Sequence, residues 1–376
     1  MIICFFSDAI QEHTRRWARY FADRGHSVHL VTWNTKHLPG YDPVVLHIIN
    51  KPFSGRSLLF RMLNLPFLFF RINKLMSQIK PDLVHAHSVS AYSWMAMLAG
   101  SAPYVVTPWG ADVNLDMDRH IITGALSRIS LRKAVLVICD AKFIKEKIVS
   151  WGVLSDRVKV IMFGVDFNRL NSSGQAVSGL RERYNLRNAP IIISTRLVTV
   201  IRDVETFVRA VPFVVKKIPS ARFVAVGSGD ERPRLEKMAK DGGYLDYIKF
   251  MGHVTESEMI QWLKTSDVYV STSLTDAGLA ASTAEAMACG LPVISTDNSE
   301  NADWVHPGRG GYLYPNKDVE KLAEYIVLLL NNQQLCKRMG EYNRRMIEEK
   351  NNYALEMKKV EDAYLEVVKG RGGSYE

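Results

Sequence analysis

A chain of 376 residues exceeds the roughly 250–300 residues at which a single hydrophobic core stops growing, so two domains are expected. Hydrophobic residues (47%) and charged residues (23%) occur at levels typical of a soluble globular protein, and four widely spaced cysteines exclude a disulfide framework and a zinc site. The whole net charge of +9 lies in residues 1–180, which leaves open a solubilising surface or an anionic partner of the first half.

The first residues, MIICFF, run straight into a predicted strand. They lack the basic start, the long apolar stretch and the cleavage site of a signal peptide. Because cysteines without a disulfide pattern suit a reducing compartment, the sequence predicts a cytoplasmic protein.

Short apolar runs alternate with amphipathic helices through the first half of the chain. The runs predict strands at residues 2–6, 28–33, 44–49, 83–87, 104–107, 135–139 and 158–161. A helix between the first two carries Trp17, Tyr20 and Phe21 on one face and is closed by Gly25. This alternation predicts a parallel sheet covered by helices on both faces, with ligands bound along the edge where the strands end.

Residues 56–80 combine bulky apolar side chains with Arg61, Arg71 and Lys74. Their uncharged stretch is much shorter than the roughly 20 residues that span a bilayer. The pattern favours a helix in the plane of an anionic membrane surface, at the inner face of the cell membrane, over a buried helix whose arginines reach out to water.

The polar residues 168–188 interrupt the alternation and predict a linker. Strands then resume at residues 191–194, 221–226, 248–251, 268–271 and 293–295. We therefore expect two doubly wound, Rossmann-like domains facing across a cleft, at residues 1–168 and 169–350. A C-terminal helix at 351–376 is expected to pack back towards the first domain.

Several common catalytic motifs are absent: the chain has no GxxxxGK[ST] phosphate loop, no HExxH and no GxSxG nucleophile. The GSG at Gly227 reads as a tight turn between strand and helix. No Asp-x-Asp motif suited to holding Mg²⁺ on a diphosphate is evident, so a site without metal or cofactor is predicted.

The sequence after the strand at 268–271, SLTDAGLAASTAEAMACG, offers a diphosphate site. Gly278 and the small residues after it allow close approach of backbone N–H groups, and Ser282 or Thr283 is expected to cap the following helix. Glu285, one turn further on, is placed to accept hydrogen bonds from ribose hydroxyls. The alternative is a plain strand–loop–helix connection in which Glu285 faces the helix dipole.

Two arginines, Arg196 and Arg202, follow the first strand of the second half. In a parallel sheet their loop opens onto the same edge as Gly278. They are expected to neutralise a departing diphosphate without a metal, or else to be solvated loop residues.

The segment DVYVSTSLTDAGLAASTAEAMACGLPVISTD resembles the most recognisable segment of family 4 of the retaining glycosyltransferases. FADRGHSVHLVT, PDLVHAHSVSA, TPWGADV, IMFGVDFNRL and GGYLYPNKDVEKLAEYI are further likenesses, in the family's order. The resemblance implies a GT-B fold, a nucleotide-sugar donor held by the second domain and an acceptor held by the first. It also implies front-face substitution, in which the leaving diphosphate accepts the acceptor's proton.

The resemblance also implies roles for individual residues. Arg196 matches the phosphate-binding arginine and Glu285 the glutamate that contacts the ribose. Around them the donor-binding residues are expected to be Gly227, His253, Gly278, Leu279, Ala280 and Ser282.

Three positions depart from the family pattern. Ala277 stands where a glutamate touches the donor sugar, and its neighbour Asp276 is the expected substitute. Ile201 stands in place of the phosphate-binding lysine, with Arg202 one residue later. Trp109 replaces a histidine near the transferred sugar. Arg196, Arg202, Asp276 and Glu285 are thus the predicted catalytic set.

Polar and aromatic residues at the strand ends of the first half are candidates for lining the acceptor side, although a lone histidine in such a place is more often structural. They are Ser7, Asp8, His13, His87, Trp109 and Asp112.

The sequence therefore predicts a metal-independent hexosyltransferase that moves a sugar from a nucleoside diphosphate to an acceptor hydroxyl. A lipid-linked or surface glycan is the expected acceptor, and nucleic acid is not an expected partner. The alternatives are a soluble small-molecule acceptor, a non-catalytic partner subunit, or a UDP-sugar epimerase of the same fold.

Overall fold

A computed structural model describes residues 1–34, 40–49, 58–100, 102–110, 112–113, 121–172, 179–186, 188–276 and 278–372. The chain divides into two compact units, Met1–Phe163 with Leu355–Glu376, and Gly164–Ala354. The sequence placed these boundaries at 168 and 350. Residues 164–168 fall within the second unit because Val165 N donates to Asn351 O at 2.8 Å and Tyr353 N donates to Val165 O at 3.0 Å.

The described part of the first unit forms a seven-stranded parallel sheet in the order β3-β2-β1-β4-β5-β6-β7. The central strands are buried along their length, as expected for a parallel sheet covered on both faces. The strands are β1 Ile2–Phe6, β2 Ser27–Thr32, β3 Val45–Ile48, β4 Leu83–His87, β5 Tyr104–Thr107, β6 Leu136–Cys139 and β7 Val158–Val160.

The helices of this unit are α1 Glu12–Asp23, α2 Leu58–Ile79, α3 Ala91–Ala99, α4 Ile121–Lys133 and α5 Lys142–Ser150. The terminal helix α15, Tyr353–Gly372, belongs to this unit from Leu355 onwards. In α1, Trp17 and Phe21 are buried as predicted. The terminal helix α15 contributes Tyr364, which is fully buried and stacks on Phe21 with ring centroids 4.9 Å apart. The end of the chain is therefore part of the first unit's core.

The second unit has a parallel sheet of six strands among its described residues, in the order β10-β9-β8-β11-β12-β13. These strands are β8 Ile191–Ser194, β9 Arg222–Val226, β10 Ile248–Gly252, β11 Val268–Ser271, β12 Val293–Thr296 and β13 Gly311–Tyr314. The helices are α6 Phe167–Ser172, α7 Leu180–Arg183, α8 Val204–Val215, α9 Arg232–Asp241, α10 Glu256–Thr265, α11 Ala281–Ala288, α12 Asn301–Trp304, α13 Val319–Leu330 and α14 Gln333–Lys350. Two parallel-sheet α/β units confirm the predicted fold class.

The expected linker at 168–188 is largely helical in its described part, and that prediction was wrong. Helices α6 and α7 lie in it, and residues 173–178 and 187 lie outside the described residues. Leu170, Leu180 and Leu186 are buried within the second unit. The polar composition concealed these apolar anchors because they are widely spaced.

The two central strands of the second sheet set the position of the candidate site. Strand β11 pairs with β8 in parallel, Val268 opposite Ile192 and Tyr269 opposite Ile193. The loops that follow both strands therefore leave the sheet at the same edge, as predicted from the sequence.

Candidate active site

Arg196 follows β8, and its side chain is almost completely buried. Its Nη1 donates to Ser282 Oγ at 3.0 Å, while its Nη2 donates to Ser273 Oγ and to Asp276 Oδ1, both at 2.5 Å. The guanidinium thus joins the loop after β8 to the loop after β11 and to the start of α11.

Arg202 approaches the same carboxylate from a short 3-10 turn, Val200–Arg202. Its Nη1 donates to Asp276 Oδ1 at 2.6 Å and to Thr275 O at 3.2 Å. Burial is the largest influence on Arg202 and lowers its pKa, and the neighbouring Arg196 acts in the same direction. Arg202 is therefore held by Asp276, with 30% of its side chain exposed to solvent.

Asp276 is the anion on which both arginines converge. The residue is 8% exposed, and its Oδ1 accepts from both guanidinium groups. Its Oδ2 is buried and has no hydrogen-bond partner in the described part of the chain. Ala277, the first departure from the family pattern, lies outside the described residues.

The start of α11 differs from the expected one. The helix begins at Ala281 with Ala280 as its N-cap residue, and no side chain caps it, so the predicted caps Ser282 and Thr283 were wrong. Ser282 Oγ instead takes hydrogen bonds from Arg196 and, at 3.1 Å, from Tyr269 OH. Within the described residues no side chain caps α11, so its first N–H groups are suited to an anion at the strand ends.

Glu285 has a cationic partner that was not predicted from the sequence. Its Oε1 accepts from Arg169 Nη2 at 2.6 Å, and Arg169 also pairs with Glu256 at 2.5 Å. Arg169 lies on α6, within the segment expected to be a linker. The sequence does contain this arginine, in GVDFNRL, but no helix or strand predicted from the sequence places it near α11.

Gly227 lies against the backbone that carries Arg196. Its φ is +147°, and a Cβ there would lie 2.3 Å from the Arg196 carbonyl oxygen. At Gly229, which was not among the predicted site residues, a Cβ would lie 1.9 Å from the Val198 carbonyl oxygen. Both glycines thus permit the close packing that fixes the arginine loop. His253 is exposed, directly after β10.

In the first unit, the predicted polar candidates mainly organise loops. Ser7 Oγ bonds Thr14 Oγ1 at 2.6 Å, and Asp8 Oδ1 accepts from Ile10 N at 3.0 Å. Asp112 accepts from three backbone N–H groups, those of Val89 (2.6 Å), Trp109 (3.0 Å) and Val113 (3.0 Å). Burial raises the pKa of Asp112, although these hydrogen bonds lower it. Asp112 therefore ties the loop after β4 to the loop after β5.

His87, His13 and Trp109 come together in the first unit. The Trp109 ring centroid lies 5.9 Å from that of His87 and 6.4 Å from that of His13, which also stacks on Phe163 at 4.9 Å. His87 is 2% exposed, and neither ring nitrogen has a hydrogen-bond partner within the described ranges. Burial lowers the pKa of His87 to about 3, so its imidazole is neutral near neutral pH.

Two parallel-sheet α/β units place the chain in the GT-B structural class. Residues 181–346 match the family model "Glycosyl transferases group 1", and residues 2–141 match "Glycosyl transferase 4-like". The chain therefore belongs to family 4 of the glycosyltransferases, as its sequence motifs predicted.

Individual relatives agree with this membership. A GDP-mannose-dependent alpha-(1-6)-phosphatidylinositol monomannoside mannosyltransferase of Mycobacterium tuberculosis is 27% identical over 190 residues, which are 49% of each chain. The match thus spans about half the length of that relative. The phosphatidyl-myo-inositol mannosyltransferase of Mycobacterium leprae is 24% identical over 90% of this chain and 88% of its own.

Solved structures share the fold. Sucrose-phosphate synthase of Thermosynechococcus elongatus superimposes with a TM-score of 0.80 at 18% identity, over 98% of this chain and 100% of its own. The structure of Anabaena HepE in complex with UDP and glucose superimposes with a TM-score of 0.80 at 17% identity. The match covers 96% of this chain and 99% of the HepE chain.

Two further observations concern membranes and metals. Within the described ranges, no helix combines the length and apolar character needed to cross a bilayer. The same residues contain no group of three or more His, Cys, Asp or Glu side chains arranged to hold a metal ion.

Proposed function

We propose that this protein is a retaining glycosyltransferase that moves a hexose-type sugar from a nucleoside diphosphate to an acceptor hydroxyl. The observation that carries the proposal is the convergence of Arg196 and Arg202 on one carboxylate oxygen, beside the start of α11. Two guanidinium groups and uncapped helix N–H groups form a site suited to a diphosphate.

The reaction breaks the bond between the sugar's anomeric carbon and the diphosphate oxygen and forms a bond from that carbon to the acceptor oxygen on the same face. The acceptor's proton passes to the departing diphosphate. Negative charge develops on the diphosphate, and Arg196 and Arg202 stabilise it. Preorganised donors of this kind contribute about 10²–10³ each to the rate. Because these cations can provide the stabilisation, we propose that no metal is needed, and activity should persist in EDTA.

The donor's nucleotide would lie along α11. Backbone N–H groups of Gly278, Leu279 and Ala280 would contact the phosphates, and Glu285 the ribose hydroxyls. Arg169 would act as a positioning residue, since it holds the Glu285 carboxylate at 2.6 Å. Gly227 and His253 follow the neighbouring strands β9 and β10, and His253 would contact the nucleotide from there.

We propose a membrane-associated acceptor, such as a lipid-linked or surface glycan. On α2, Phe67 and Phe70 are 62% and 65% exposed, and Arg71 and Lys74 are exposed beside them. Ile72, Met76 and Ile79 are buried, so the helix has a core-facing side and a side that suits lipid headgroups. Residues 56–57 and the side chains of 58–66 lie outside the described part of the segment 56–80.

Co-sedimentation with vesicles tests the membrane contact. Binding to vesicles rich in anionic lipid, lost in a Phe67→Ser/Phe70→Ser variant, would support it. Equal recovery with neutral and anionic vesicles would favour a soluble acceptor instead.

The activity itself is tested with purified protein and a panel of nucleotide sugars. The relatives that name GDP-mannose and the HepE structure with UDP make UDP- and GDP-sugars the first choices. Donor-dependent thermal stabilisation, followed by transfer with retained anomeric configuration, is the expected result. Epimerised free nucleotide sugar without an acceptor, or no stabilisation by any nucleotide, would contradict the proposal.

A further inference from the structure

A buried tyrosine of β11 is connected to the candidate site through Ser282. Tyr269 is fully buried, and its hydroxyl group donates to Ser282 Oγ at 3.1 Å. Among the described residues, Ser282 is the only hydrogen-bond partner of this hydroxyl group. A buried hydroxyl group is costly to leave without a partner, so Tyr269 favours the position of Ser282 Oγ that satisfies it.

The same serine oxygen also accepts from Arg196. Arg196 Nη1 donates to Ser282 Oγ at 3.0 Å, so one oxygen receives both a phenol and a guanidinium group. A hydroxyl oxygen has two acceptor positions, and both are thereby occupied. The opposite direction of the bond to Tyr269 would leave the buried tyrosine proton without an acceptor in the described part of the chain, which disfavours it.

The remaining hydrogen-bonding capacity of Ser282 is its own proton. A hydroxyl group with both acceptor positions filled forms further hydrogen bonds only as a donor. Within the described ranges Ser282 donates to no acceptor, and it is partly exposed in the first turn of α11. Its O–H group thus lies beside the first N–H groups of α11, where a phosphate oxygen is a suitable acceptor.

We propose that Tyr269 is a positioning residue of the diphosphate site. Its hydroxyl group holds Ser282 in the orientation that binds Arg196, and it leaves the Ser282 proton to be donated to a phosphate oxygen of the nucleotide sugar. This inference rests on the proposed function. Because Tyr269 is fully buried, it does not contact the ligand itself, and its effect on affinity passes through Ser282.

A double-mutant cycle tests the proposal, with calorimetric titration of the full chain by pyrophosphate, UDP and GDP. Tyr269→Phe removes one hydroxyl group and should weaken each ligand that the wild type binds by about three- to tenfold, the effect of one lost hydrogen bond. Ser282→Ala also removes the donor to a charged phosphate, so its loss of affinity should be at least about tenfold. The double variant Tyr269→Phe/Ser282→Ala should bind within about twofold of Ser282→Ala, because Tyr269 acts through Ser282.

The matched control is Tyr314→Phe. Tyr314 lies at the end of β13 in the same unit and is 1% exposed, and its hydroxyl group has no hydrogen-bond partner among the described residues. This variant loses the same atom from a buried tyrosine but breaks no link to Ser282. Its affinity for each ligand should therefore equal that of the wild type.

The outcomes separate the role of Tyr269 from the proposed function. A tyrosine with a purely structural role would change stability and leave affinity unaltered. If the wild type binds a phosphate ligand and Tyr269→Phe binds it equally well, the inference is wrong and the proposed function stands. The same holds if Tyr269→Phe weakens binding by the same factor whether or not Ser282 is present. If the wild type binds none of the three ligands, both fail.

Thermal unfolding keeps the test informative if a variant is too unstable to titrate. Ser282→Ala leaves the Tyr269 hydroxyl group buried without a partner, so its unfolding temperature should fall below that of the wild type. Adding Tyr269→Phe removes that hydroxyl group and should recover part of the loss. A further fall in the double variant would overturn the link between the two residues.

Discussion

Replacing Arg196 with alanine removes the group that links three parts of the candidate site. The guanidinium donates to Ser273, Asp276 and Ser282, all on or beside the loop that leads into α11. Losing one preorganised donor to a developing anion costs about 2.7–4 kcal/mol of barrier, so kcat should fall about 10²–10³-fold. Because Arg202 still pairs with Asp276, the fold should persist, although with reduced stability.

The assay is the initial rate of nucleoside diphosphate release in the presence of acceptor. Arg196→Lys keeps the charge but loses the planar fork that reaches Ser273, Asp276 and Ser282, so its rate should lie between those of the alanine variant and the wild type. Arg209→Ala, an exposed residue of α8, is the matched control and should retain the full rate. A folded Arg196→Ala protein with wild-type turnover would refute the assignment.

Three further predictions concern other parts of the chain. Arg169→Met should raise the KM for the donor about tenfold, since Glu285 loses the guanidinium that holds its Oε1, and unchanged kinetics would show that Glu285 is positioned otherwise. In the folded protein His87 stays neutral down to about pH 3, whereas in the unfolded chain it protonates below about pH 6.5. The contribution of His87 should therefore lower the free energy of unfolding by about 1.4 kcal/mol for each pH unit between 6.5 and 3. Denaturant titrations at pH 7 and pH 5 should show a smaller fall in His87→Phe than in the wild type, and an equal fall would contradict this linkage. Tyr364→Ala should destabilise the first unit by about 3–5 kcal/mol, because it leaves a cavity at a fully buried site beside Phe21. Thermal unfolding measures this loss, and the control Leu355→Ala, at an exposed position, should change the stability little.

Much of the architecture could be predicted from the alternation of strands and helices. That pattern requires both sheets to be parallel, and parallel sheets bring the loops after β8 and β11 to one edge. Arg196, Arg202 and the start of α11 could therefore be placed together without any knowledge of side-chain contacts. Their placement depends only on backbone topology and on the period of apolar residues, both of which are visible in the sequence.

Side-chain partners were harder to predict because ion pairs depend on packing between distant parts of the chain. Asp276 was expected to face the donor sugar, and nothing in its local sequence indicates that it receives both arginines. Arg169 was missed since α6 was hidden in a polar segment whose few buried leucines lack a continuous helical pattern. The N-cap of α11 was misplaced because Ser282 bonds Arg196 and Tyr269 instead of the helix backbone.

The central claim is that Arg196 and Arg202 form the diphosphate-binding site of a sugar donor. It is tested most directly by calorimetric titration of the wild type and the Arg196→Ala/Arg202→Ala double variant with a panel of nucleoside diphosphates. We expect saturable binding of one nucleoside diphosphate to the wild type and a loss of at least about 100-fold in affinity in a folded double variant. Equal affinity in the two proteins, or no binding of any nucleoside diphosphate to the wild type, would contradict the claim.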